Sequence, residues 1–264
     1  MKNLLLITAA TAGLVGVASA TVIFDATPSN TNEVFNTVGS GAGTPATGTV
    51  TGSAGALVIT NSGVNFGMYG IASMSSINTL LGDASMAALT SADTVTFTAT
   101  ITGITGDIRA NGIEFGMSPT ATGFRPDDHL LYGLKAQNND NTIVDNAFVD
   151  GGSSAGASAT EGSIKDGFNI TLTANNAGYT FFLSGIDAGG GVTTITKSGG
   201  FTGTQFVDNF ANGHYYLAIQ RFNTAPDTVM NISEASIAVV PEPSSLTLLG
   251  FGLTALLVRR RRGC

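Results

Sequence analysis

Tryptophan is absent from this 264-residue chain, cysteine occurs once and histidine twice. One Cys excludes an internal disulfide framework and a cysteine-built zinc site. His129 and His214 are all the imidazole there is, which leaves little room for His-based catalysis or metal binding. The missing Trp removes the strongest stacking residue. Charge is scarce too: 11% of the residues are charged, against roughly 25% in an ordinary chain. The balance is acidic, with a formal net charge of −7, so the basic stripe that a nucleic-acid partner needs is missing. Glycine is plentiful, at 35 residues. The length allows one large domain or two small ones.

The first 20 residues have the three parts of a secretory signal peptide. Lys2 supplies positive charge, residues 4–17 are apolar, and Ala18-Ser19-Ala20 places small side chains at Ala18 and Ala20. Export and cleavage by signal peptidase after Ala20 are expected.

The opposite end is built from three further parts. Pro241 and Pro243 push Val240 and Glu242 out of the helical region, which makes a stiff extended stretch. Ser244 or Ser245 can then cap a helix. The run 244–258 carries no charge, and Arg259, Arg260, Arg261 and Arg262 follow it. The positive-inside rule would hold these arginines in the cytoplasm as a membrane stop. As a helix the 15 uncharged residues reach about 22 Å at 1.5 Å per residue, short of a bilayer core of about 30 Å. Snorkelling arginines and local thinning recover part of the gap.

Pro241, Glu242 and Pro243, the apolar run and the terminal Arg cluster resemble a PEP-CTERM protein-sorting signal. The likeness covers about residues 240–264. It implies an exported bacterial protein, handled by an exosortase-type membrane protease that recognises the Pro-Glu-Pro tripeptide and cuts near it. It also implies an organism that makes extracellular polysaccharide. It implies no activity for the rest of the chain. Cys264 would face the cytoplasm as a spectator thiol.

The expected organisation is therefore a signal peptide at 1–20, a β domain at 21–239 and the sorting signal at 240–264. Without Lys2, Glu242 and the four terminal Arg, 6 basic and 17 acidic residues leave a net charge of −11. Residues 94–102 set Val95, Phe97, Ala99 and Ile101 on one face and Thr on the other, the period of a half-buried strand. Phe168, Ile170 and Leu172 alternate likewise, as do Tyr215, Leu217 and Ile219, and Ile237 with Val239. Residues 179–183 follow the turn Asn175-Asn176-Ala177-Gly178 as another strand. Further strands are expected at 22–24, 49–60, 113–117, 130–136, 142–149 and 192–196. Roughly ten or more short strands with few helical periods predict an all-β fold, an antiparallel sandwich. It resembles concanavalin-like jelly rolls. One or two short helices are expected within 71–89, where Met74, Ile77, Leu80 and Leu81 recur at helical spacing. The small-residue stretches 39–48 and 151–160 are expected to be surface loops.

Chemistry is sparse. Glucanases on such sandwiches set Glu, Asp and Glu on alternate residues of one strand, whereas Glu33, Glu114, Glu161 and Glu234 are scattered. His129 and His214 keep a Ser-His-Asp triad open, with no nucleophile elbow recognised beside them. Asp127, Asp128 and His129, the run Asn138-Asn139-Asp140-Asn141, and Asp145, Asn146 and Asp150 offer oxygens to Ca²⁺. They lack EF-hand spacing, and Asn and Asp also populate turns for local reasons. No cofactor is expected. Tyr69, Tyr132, Tyr179, Tyr215 and Tyr216 are the rings a sugar could stack on, while Phe at alternating strand positions reads as core. Asn169-Ile170-Thr171 and Asn231-Ile232-Ser233 match the Asn-x-Ser/Thr pattern by chance. The resulting expectation is a non-catalytic structural or glycan-binding surface protein. It would be membrane-held before processing and afterwards at the cell surface or in the matrix. The alternative is a secreted carbohydrate-active enzyme.

Overall fold

A computed structural model describes residues 19–25, 35–40, 48–53, 56–62, 68–106, 113–118, 131–137, 142–149, 152–154, 164–187, 191–201, 203–220 and 227–241. Within them the strands form two antiparallel sheets. The eight-stranded sheet runs β13 (Val192–Gly200), β12 (Gly178–Asp187), β11 (Ile164–Asn175), β6 (Thr94–Thr105), β15 (Thr228–Val240), β4 (Ala56–Asn61), β3 (Gly48–Ser53), and β1 (Thr21–Asp25) joins the far half of β15. One edge of β15 pairs with β6 from Val229 to Val240; the other carries β4 at residues 228–232 and β1 at 236–239. The seven-stranded sheet runs β10 (Gly152–Ser154), β9 (Thr142–Val149), β8 (Leu131–Gln137), β7 (Ile113–Ser118), β14 (His214–Gln220), β5 (Met68–Ser73), β2 (Phe35–Ser40).

The period-2 pattern decides which face is buried. In β6 the apolar members Val95, Phe97, Ala99 and Ile101 are buried, and Thr96, Thr98 and Thr100 between them are half-exposed. Their partners obey the same rule: Phe97 lies opposite Leu172 on β11 and Ile237 on β15, all buried. The inner faces of the two sheets meet in one core centred on Tyr215. Its ring lies 5.2 Å from Phe24, 5.9 Å from Phe115 and 6.2 Å from Phe97. Fully burying one such side chain is worth about 1.5–3 kcal/mol. A polar tie crosses the same interior, where buried Asn61 on β4 donates its Nδ2 hydrogen to the Ile219 carbonyl on β14 at 2.9 Å.

Two helices close on this core. α1 (Ile77–Asp83) starts at Ser76, whose Oγ accepts from the Thr79 amide, and its Ile77 amide donates to the Gly213 carbonyl at 3.0 Å. α2 (Gln205–Ala211) buries Phe206 and Phe210, and Phe201 packs against both rings.

One short helix lies within 71–89, as expected. Residues 71–73 end strand β5, and α1 spans only 77–83. Ile71, Ala72 and Ser73 are all buried, so β5 is covered on both faces and shows no alternation to read. The same cause hid no other central strand: β14 is also buried on both faces, yet its larger apolar residues stand out. The expected strand at 49–60 is two, β3 and β4, paired as a hairpin. The loop expected at 151–160 contributes residues 152–154 as the edge strand β10, and Gly39 and Ser40 of the loop expected at 39–48 end β2. The turn at 175–178 is as expected: Asn175 and Gly178 pair across it, and the Ala177 amide donates to Asn175 Oδ1.

Candidate functional site

Among the described residues, those singled out for chemistry are mostly used for structure. Tyr69, Tyr179, Tyr215 and Tyr216 are each 8% exposed or less, so they are core rings and not a sugar platform. Buried Tyr215 donates its hydroxyl hydrogen to the Thr98 carbonyl. The side chain of Tyr132 is outside the described set, as is His129. His214 does lie beside a serine, Ser73, but it bonds the serine's backbone and not its hydroxyl. Its Nδ1 meets the Ser73 carbonyl at 2.8 Å, so that nitrogen carries the hydrogen. The Ser73 hydroxyl donates to the Ser75 carbonyl and accepts from the Tyr215 amide.

Gly152, Ser154 and Gly156 have the Gly-x-Ser-x-Gly spacing, a match that the reading of the sequence passed over. Residues 152–154 form a short edge strand, whereas a nucleophile elbow sits in a tight strand-to-helix turn. Gly156 is outside the described residues. So are Asp127, Asp128, residues 138–141 and Asp150; Asp145 and Asn146 lie on β9. Among the described residues no group of three His, Cys, Asp or Glu is arranged to hold a metal ion.

The outer face of the eight-stranded sheet has a different character. Its cross-strand rows are Ser198–Thr180–Thr173–Thr96, then Thr196–Phe182–Thr171–Thr98, then Thr194–Ser184–Asn169–Thr100, across β13, β12, β11 and β6. Alternation places every one of these side chains opposite the core. Phe182 is 40% exposed in the middle row, the one aromatic among the exposed large hydrophobics of the described residues.

Grooves lie on both sides of this ring. One, of about 370 Å³, is lined by Thr100, Asn169, Ser184, Val192 and the backbone around Gly167 and Gly185. The other, of about 270 Å³, is lined by Thr173, Asn175, Thr180, Ser198, Gly199 and Tyr179. Among the described residues no charged side chain lines either groove. Two glycines shape them. Gly167 has φ +116°, and a Cβ there would come within 2.5 Å of the Ile101 carbonyl oxygen; a Cβ on Gly199 would come within 2.6 Å of the Tyr179 ring.

The adjacent pair Phe181-Phe182 carried the signal for this surface. In any strand two neighbours face opposite ways. Phe181 falls in phase with buried Leu183, which turns Phe182 outward.

The C-terminal parts meet the fold at one point. β15 runs through the centre of its sheet to Val240, paired with Thr94, and Pro241 follows at once, half-buried. Proline has no amide hydrogen to continue the ladder. The family model of the PEP-CTERM protein-sorting motif matches residues 239–262. The chain carries a PEP-CTERM motif. This marks it as an exported protein. The motif therefore begins on the last rungs of β15, at Val239 and Val240. Glu242, Pro243, the apolar run 244–258, Arg259, Arg260, Arg261 and Arg262 are outside the described residues, and so is Ala18 at the other end. Ala20 is exposed just before β1. Among the described residues no helix is long and apolar enough to cross a membrane.

No curated protein sequence matches the chain. Among solved structures the CBM2 module of the evolved Dit of Lactobacillus casei BL23 phage J-1 aligns with a TM-score of 0.53 at 10% identity, covering 85% of this chain and 98% of that one. A Lotus tetragonolobus seed lectin aligns at 0.48 and 10%, covering 79% and 94%. The winged bean acidic lectin complexed with methyl-α-D-galactose aligns at 0.48 and 14%, covering 78% and 92%. The first of these likenesses shows a shared β fold. It says nothing of what the PEP-CTERM-bearing chain binds.

Proposed function

We propose that this chain is a non-catalytic, glycan-binding β-sandwich, exported and then handled through its C-terminal tail. The single observation that carries the reading is the junction at Pro241. A central strand ends there, two residues into the PEP-CTERM motif, so the tag continues directly from the last rungs of the cargo. In this reading Ala18 and Ala20 are the signal peptidase contacts. Pro241, Glu242 and Pro243 are the recognition element for an exosortase-type protease. The apolar run 244–258 is a membrane anchor, and Arg259 to Arg262 stop it at the cytoplasmic face. Cleavage near the tripeptide then frees residues 21–239, one domain, to the cell surface or matrix.

Glycan binding is supported by the uncharged hydroxyl- and amide-bearing face around Phe182. A non-catalytic role is supported by the Ser73 hydroxyl, which gives its hydrogen to the Ser75 carbonyl and not to the neighbouring His214. The test is to fractionate the native cells and weigh the mature protein at both ends. A chain beginning at Thr21 and ending near Pro241 supports the reading. A C-terminus still at Cys264 in cells with an active sorting protease overturns it.

A further inference from the structure

Phe182 is an apolar ring set among hydroxyls, and the composition of its surroundings restricts what it meets. Thr171 and Thr196 sit directly opposite it on the two neighbouring strands. Along β12, Thr180 and Ser184 lie two residues to either side and each lines a groove. Four residues at about 3.4 Å each separate the two groove walls by about 14 Å.

A single sugar ring cannot span that distance; an extended chain can. Among the described residues neither groove offers a cation, and the region 21–239 has a net charge of −11, so an acidic polymer meets repulsion. Neither offers a carboxylate for a basic peptide. Glu234, which shares this face, lies on β15 opposite Thr100 at the far wall of the first groove, three strands from β12 and Phe182, about 14 Å at 4.8 Å per strand. It already accepts bonds from Thr98 and Ser236. The ligand that answers a ring flanked by neutral donors and acceptors has apolar C–H faces and hydroxyl edges, which is the chemistry of a neutral pyranose chain.

Given the glycan-binding reading above, we propose that a neutral polysaccharide chain lies along β11 and β12 on the outer face of the eight-stranded sheet, with one sugar packed on Phe182 and its neighbours in the two grooves. The site is an open track on the sheet's outer hydroxyl array and is distinct from the Pro241 junction.

The experiment uses the full chain in mild detergent. It measures retention on insoluble neutral polysaccharides (cellulose, a β-1,3-glucan, mannan) and on alginate as the anionic control. Wild-type protein is expected to be retained on at least one neutral polymer, with retention unchanged between about 50 mM and about 500 mM NaCl. Soluble oligosaccharides of that polymer should compete and its monosaccharide should not. Phe182→Ala should weaken binding about tenfold or more, and Ser184→Ala or Thr180→Ala a few-fold. Because Phe182 is 40% exposed, its replacement should leave the thermal midpoint within a few degrees of wild type. Thr196→Arg, which sets a long side chain beside the ring, should also block binding.

Equal retention of wild type and both Phe182→Ala and Thr196→Arg would move the site elsewhere and leave the glycan reading standing. Preference for alginate, or loss of binding at high salt, would overturn the neutral class. A concentration-dependent dimer abolished by Phe182→Ala would assign the face to a second copy and overturn the proposal. Retention on no polysaccharide at all would overturn both this site and the glycan-binding reading.

Discussion

Tyr215 in the seven-stranded sheet donates its hydroxyl hydrogen to the backbone carbonyl of Thr98 in the eight-stranded sheet, 2.9 Å away. The bond crosses the middle of the sandwich, and Thr98 reaches the outer surface through its own side chain, where its Oγ1 lies 2.6 Å from Ser236 Oγ. One backbone position thus links the core to the outer hydroxyl face.

Tyr215 should make stability fall at alkaline pH. Burial first, and the charge of Glu234 second, hold its pKa well above the ordinary value near 10. The folded protein keeps the proton when the unfolded chain releases it. The stabilisation is therefore complete below about pH 10 and is lost as pH rises from there through the folded pKa. Urea unfolding at a series of pH values should show a plateau and then a decline. Tyr215→Phe should lower stability by about 1 kcal/mol at pH 7 and flatten the alkaline decline. An unchanged slope in the variant would show that other groups set it.

Asn61 should be costly to remove. Its side chain is fully buried and bridges β4 to the Ile219 carbonyl on β14. Asn61→Ala strips that bond and leaves a buried acceptor, a loss of about 1–3 kcal/mol. Chemical denaturation against wild type measures it, and a change under a few tenths would mean that the tie carries nothing.

Gly167 should tolerate no side chain. Its φ of +116° and the close Ile101 carbonyl oxygen add conformational strain to a steric clash. Gly167→Ala should lower stability by about 1–3 kcal/mol and distort the groove beside Asn169 and Ser184. A variant as stable as wild type would contradict this backbone.

Chelation should do nothing to the fold. EDTA is expected to leave the thermal midpoint unchanged within about a degree, because the Asp and Asn residues between 127 and 150 lack EF-hand spacing and such residues populate turns for local reasons. A drop on EDTA, restored by added Ca²⁺, would instead place an ion at the Asp- and Asn-rich segments between 127 and 150.

The tail should act as a unit. Replacing Pro241, Glu242 and Pro243 together by Ala is expected to leave an unprocessed chain in the membrane fraction, read as a larger mass at the C-terminus. Normal processing of that variant would remove the tripeptide from the recognition role.

Much of this architecture is readable from residue order. The alternation of β6, β11 and β15 announced both the sandwich and which side chains enter it, because the two-residue period of a strand has one apolar phase whenever one face is buried. The PEP-CTERM motif is equally legible, since its parts are contiguous and need no fold to be seen. Strand β5 escaped notice for the opposite reason: with both faces covered it has no polar phase to mark it.

The roles of individual rings were decided by tertiary structure alone. The adjacent pair Phe181-Phe182 says that the two rings face opposite ways, but which of them faces out, and that four tyrosines with polar edges are core, depends on phase within a strand and on which sheet covers it. The same holds for the grooves. Thr100, Asn169, Ser184 and Val192 are far apart along the chain and become one surface only through the pairing of β6, β11, β12 and β13.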